Sequence, residues 1–170
     1  DEFWHKTSQG RYIGPAVYGA SDGIITTFAV VAGVAGAKLA PAIVLIMGLA
    51  NLLADGLSMA IGDYLSGRAE EKYQKSERER ELWEIEHYPE GEKEEIKHIF
   101  QSKGVTGESL DQLVEIITSD QKLWLDTMMK EELGIIADND TSPVKSATVT
   151  FLSFAIAGFM PLLAYILSSF

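Results

Sequence analysis

Residues 12–37 read YIGPAVYGASDGIITTFAVVAGVAGA. This run is long and apolar enough to cross about 30 Å of hydrocarbon as one helix, yet Asp22 sits within it. A charged Asp at the centre of a bilayer helix costs roughly 2.5–3.5 kcal/mol on insertion scales, and such acids are kept for function by default. A second apolar run, 39–65, repeats the anomaly with Asp55 and Asp63 around Met59, and a third covers about 147–170. Three spans are therefore predicted, in an all-α protein. Intramembrane acids suit a protein that moves or binds something cationic.

The mean hydropathy of +0.06 averages two populations. The polar stretch 66–142 holds 20 of the 25 acids and 10 of the 14 bases, a net −10 of the chain's −11. That acidity repels the phosphates of nucleic acid and fits a cation partner. The absence of cysteine excludes disulfides and thiolate metal sites. The first run is too long for a signal-peptide core and reads as a retained span. No nucleophile–base–acid arrangement, phosphate loop or dinucleotide fingerprint is present, so no enzyme activity is expected.

Bases flank the runs unevenly. Lys6 and Arg11 precede the first, Arg68, Lys72, Lys75, Arg78 and Arg80 follow the second, and Lys145 precedes the third, against Lys38 alone in the short turn at 38–41. The positive-inside bias places the N-terminus and the insert in the cytosol. The expected organisation is 1–65 for the tail and two spans, 66–142 for a cytosolic helical insert, and 143–170 for the third span. Gly10, Gly14, Gly19, Gly23, Gly33 and Gly36, with Gly48, Gly56 and Gly62, suit close helix packing in lipid. Gly23, beside Asp22, could instead break its helix and free backbone groups for an ion. Within the insert three helices are predicted: 66–87, continuing from the second span and ended by Pro89 and Gly91; 92–103, closed by Gly104; and one from 106 or 107 to 133, stopped by Gly134. Residues 137–143 form a turn-rich link.

Asn51, Asp55, Met59 and Asp63 are spaced by four and share one helical stripe, which should face a partner helix or a wet cavity. Thioether sulfur is soft and carboxylate hard, so together they suit a borderline divalent ion such as ferrous iron or manganese. Met59 could equally fill a gap between helices. Asp63 is expected to be solvated or a cap. In the insert Glu70, Glu71, Glu77, Glu79, Glu81, Glu84 and Glu86 crowd the first helix, with Glu77, Glu81 and Glu84 on one face. Glu92 and Glu95, then Met128 and Glu132, are each one turn apart. Oxygen ligands converging from several helices make a cation site; an ordinary solvated acidic face is the alternative. Two Glu-x-x-His pairs, Glu84/His87 and Glu95/His98, allow a ferritin-like di-iron centre, and so a membrane-anchored, ferroxidase-like metal-binding module without transport. His5, in the tail, carries no signal.

The runs SDGIITTFAVVAG, ANLLADGLSMAIGDYLS and WLDTMMKEELGI, with PVKSATVTFLSFAIAGFMPLLAYIL as the last span, resemble the vacuolar iron transporter family in that order over residues 10–170. The resemblance implies a homodimeric helical transporter in a vacuolar or prokaryotic cell membrane, moving Fe2+ out of the cytosol in exchange for protons. Mn2+, Co2+, Ni2+ and Zn2+ are related substrates that this ligand mix would accept. The family's in-membrane acid falls on Asp22 and its pathway methionine on Met59. Its cytosolic metal ligands fall on Glu81, Glu84, Glu92, Glu95 and Glu132, with Met128 as sulfur ligand. Where some relatives carry Glu in the second span, this chain offers Asn51, with Asp55 a turn later. The family usually has five spans, and the last two are absent from this sequence. Metal and proton would compete for Asp22, the physical basis of exchange.

Overall fold

A computed structural model describes residues 10–136 and 142–168. Lys6, His5 and most of the 137–143 link lie outside the described residues. Among the described residues the structure is all-helical: α1 Ile13–Gly36, α2 Pro41–His87, α3 Pro89–Ser102, α4 Glu108–Thr118, α5 Gln121–Glu131 and α6 Pro143–Ser168. Three of these helices, α1, α2 and α6, are long and apolar enough to cross a membrane. The chain divides into two compact units, Asp1–Arg68 with Asp140–Phe170, and Ala69–Asn139. The 47-residue α2 contributes its first part to one and its last part to the other.

In the span unit the helices meet through glycine. A Cβ on Gly19 would lie 2.4 Å from the Thr150 carbonyl oxygen, and one on Gly23 would lie 2.3 Å from that of Phe154. Backbone contact between α1 and α6 is thus possible only because both positions lack a side chain. Such packing replaces the missing hydrophobic drive between helices in lipid. On α2, Gly48 receives Leu162, and Gly56 receives Phe151 and Phe154. Val34, Val44, Leu52, Phe154 and Leu162 form the buried core. Ile25, Ile46 and Ile156 are each at least 65% exposed, as lipid-facing side chains would be. Gly23 does not interrupt α1, which runs unbroken from Ile13 to Gly36; its role is the close approach to α6, not helix breaking. Of the remaining glycines in the expected packing set, Gly10, Gly14, Gly33, Gly36 and Gly62 meet no neighbouring atom within 4 Å. Helix α1 closes through Lys38, at φ 54°, with the Leu39 N–H donating to the Val34 carbonyl at 3.3 Å, a Schellman-type stop.

The second unit buries Ile85, Ile96, Ile117, Trp124, Leu125, Met128 and Met129. Two expectations change here. Pro89 starts α3 as well as ending α2, since proline at the first helical position loses only an N–H that has no partner anyway. The helix expected over 106–133 is two helices, α4 and α5. Asp120 breaks it: its side chain accepts the Leu123 N–H at 2.7 Å, an N-cap that outcompetes continuation of the helix. Gly107 and Gly134, at φ 64° and 67°, take backbone shapes that favour glycine at the outer ends of the pair.

Candidate metal centre

Only Tyr88 separates α2 from α3, so the last turns of one helix fold back beside the first turn of the next. That corner places Glu81 of α2 against Glu92 of α3. Glu132, capping the end of α5, completes the group. One carboxylate oxygen from each of the three lies within 4.8 Å of the others. Glu81 is 3% exposed and Glu92 7%, while Glu132 remains exposed. Both buried residues keep an oxygen with no hydrogen-bond partner, Glu81 Oε1 and Glu92 Oε2. Buried carboxylate oxygens without donors are expensive, and a cation is the group that would satisfy several at once.

The electrostatics agree. Burial, then the Glu132 and Glu92 carboxylates, push Glu81 up to about 8. Burial, with Glu95 and Glu84 nearby, raises Glu92, although a hydrogen bond from Glu81 pulls it down. Glu132 is raised by burial and then by Glu95, Glu92 and Glu84, with Arg80 acting against. At an effective dielectric near 20, two full charges 4.8 Å apart repel by roughly 3 kcal/mol. The group therefore holds a proton between Glu81 and Glu92 or must take a positive ion.

Of the residues expected from the sequence, Glu81, Glu92 and Glu132 converge. Glu84 and Glu95 lie within electrostatic reach of them, and Glu84 also accepts from Arg80 at 3.2 Å. Met128 is fully buried in the apolar core, and its carbonyl accepts the Glu132 N–H at 3.0 Å. Glu77, on the same expected face, does not join the group. Neither histidine joins it either. His87 Nδ1 pairs with the Trp83 carbonyl oxygen at 2.8 Å and its ring stacks on Trp83, while His98 is exposed.

In the span unit, Asn51 Nδ2 donates to Thr26 Oγ1 at 3.3 Å, and Thr26 Oγ1 donates to the Asp22 carbonyl at 2.8 Å. The stripe on α2 thus reaches α1 at Asp22's own turn. Met59 packs partly buried against the core, and Asp22 and Asp55 are half-buried. Asp63 is neither a cap nor simply solvated: Ser146 Oγ and Thr150 Oγ1 of α6 donate to its Oδ2 at 2.8 and 2.7 Å. Sequence reasoning missed these hydroxyls and Thr26. Their only signal is a small polar side chain in an apolar helix, which identifies no partner until the helices are paired.

Residues 13–170 match the family model described as the VIT family. The chain is 40% identical over 164 residues to the vacuolar iron transporter of Toxoplasma gondii, covering 95% of this chain and 54% of that protein. It is 41% identical over 153 residues to that of Plasmodium falciparum, covering 88% and 56%. Vacuolar iron transporter 1 of Arabidopsis thaliana is 34% identical over 158 residues, covering 93% and 63%. The chain thus spans between about half and two thirds of the length of these relatives.

Proposed function

The chain belongs to the VIT family, and we propose that it serves a transporter that carries Fe2+ and related divalent ions out of the cytosol in exchange for protons. Its relatives bear the name vacuolar iron transporter, which supports iron as the substrate. The observation that carries the reading is the convergence of Glu81, Glu92 and Glu132, with two buried oxygens lacking partners. In this reading the acidic unit faces the cytosol and raises the local cation concentration. Glu84, Glu95 and Met128 complete the ligand set as the metal displaces the shared proton.

The ion then passes to Asp22 and Met59, with Asn51 and Asp55 on the same stripe of α2. The Asn51–Thr26 bond ties α2 to α1 at the turn that carries Asp22. Metal and proton compete for Asp22, and that competition couples their movements. The functional unit is a homodimer in a vacuolar or prokaryotic cell membrane. Mn2+, Co2+, Ni2+ and Zn2+ share enough coordination preference to compete with Fe2+.

Anaerobic Fe2+ titration of the purified chain tests the collecting role. Saturable binding is expected, weakened on the order of 100-fold in Glu81→Gln/Glu92→Gln, since losing direct ligands should cost at least as much as losing their supporting partners. Wild-type affinity in that variant would refute the assignment.

A further inference from the structure

Arg80 and Glu84 lie one turn apart on α2, and the Arg80 Nε–H donates to Glu84 Oε1 at 3.2 Å. Glu84 reaches the glutamate centre through its charge, which adds to the burial that raises Glu81, Glu92 and Glu132. Its oxygens are nevertheless not among those gathered within 4.8 Å of one another, and one of them is held by Arg80. The positive charge of Arg80 is felt inside the group as well, where it opposes the burial and the acids that raise Glu132. Other bases of the same unit are engaged with acids outside the centre: Arg78 with Asp126 at 2.7 Å, Lys97 with Asp111 at 3.4 Å, and Lys103 with Glu131.

We propose that Arg80 competes with the metal for Glu84: in the metal-free chain it holds Glu84 off the converged glutamates as a stand-in cation, and capture of a divalent ion transfers Glu84 from Arg80 to the metal. The proposal rests on the reading of Glu81, Glu92 and Glu132 as a metal centre and adds a residue that sets its affinity. The pair is built to open. Its side chains are 68% and 28% exposed, and exposed pairs are weak. The base also precedes the acid by four residues, the less favourable order along a helix. A divalent ion carries more charge than the guanidinium and accepts oxygens from several directions at once, so it wins Glu84 at saturation. The released guanidinium stays one turn from Glu77, whose charge already acts on it after that of Glu84. Removing Arg80 therefore frees the metal of a competitor, and affinity rises rather than falls.

The test is anaerobic Fe2+ titration of the full chain in lipid nanodiscs at low salt, comparing wild type, Arg80→Gln, Glu84→Gln and the double variant. Arg80→Gln is expected to bind Fe2+ about two- to fivefold more tightly, the worth of an exposed ion pair, and the gain should shrink as salt is raised. Glu84→Gln should bind more weakly. Adding Arg80→Gln to it should change little further, since the competitor then has no carboxylate to withhold. Arg80→Gln exchanges one good helix former for another, so α2 is retained.

Unchanged or weaker binding in Arg80→Gln overturns the proposal. An equal gain from Arg80→Gln in the Glu84→Gln background overturns it too, because general charge rather than the pair would then be at work. Failure of the wild-type chain to bind Fe2+ saturably would instead refute the metal centre itself, so the two failures are separable.

Discussion

Glu81 concentrates the chemistry of the glutamate centre in one side chain, and its protonation gives two predictions. An unfolded chain releases this proton near 4.5, whereas the folded chain holds it to about 8. Between those values the folded state binds more protons, so metal-free stability falls as pH rises from 4.5 towards 8 and levels off beyond. The slope is at most about 1.4 kcal/mol per pH unit from this group. Glu81→Gln should shrink that fall by Glu81's share, leaving what the raised Glu92 and Glu132 contribute, as read from pH-dependent melting; an unaltered slope would contradict the assignment. Metal must displace the same proton, so binding at pH 7 should release protons, with the release from Glu81 vanishing as pH rises well past 8. Calorimetry in buffers of different ionisation heat measures this directly. Helical spacing put Glu81 on a face with Glu77 and Glu84, but it could not rank the three. Burial ranks them, and burial depends on the turn at Tyr88 and on where α5 ends, both long-range outcomes. The same limit applied to Asp63, whose hydroxyl partners lie more than 80 residues away.

Three elements allow sharp tests of packing and helix stability. A methyl on Gly23 would meet the Phe154 carbonyl oxygen at 2.3 Å, and backbone cannot step aside as a flexible side chain can. Gly23→Ala should therefore separate α1 from α6 and destabilise the span unit by roughly 1–3 kcal/mol, measurable as a lower melting temperature in detergent. Gly91 lies in α3 and meets nothing within 4 Å, so Gly91→Ala should stabilise that helix by up to about 1 kcal/mol. Asp120→Ala removes the N-cap of α5 and should cost about 1 kcal/mol, seen as faster amide exchange at the start of α5. The spans themselves were legible because a long apolar run has few alternatives. The α4–α5 break was less so: 108–131 contains no Gly or Pro, and a single Ser-Asp pair stops the helix only where the following residues can pack back. The glycine pattern identified a packing face but not which of its members touch.

At the scale of the whole molecule, charge is spread unevenly along the chain. The polar stretch 66–142 holds 20 of the chain's 25 acids, while the apolar helices carry Asp22, Asp55 and Asp63. The order of motifs made the family legible from the sequence, and the family match over 13–170 supports that reading. In the proposed transport cycle Asp22 is where metal and proton compete. That competition is tested by Fe2+ uptake into proteoliposomes across an imposed pH gradient, comparing the wild-type chain with Asp22→Asn. Gradient-dependent uptake is expected for the wild type, accompanied by counter-movement of protons, with loss of both in the variant. Coupled uptake that persists in Asp22→Asn would contradict it.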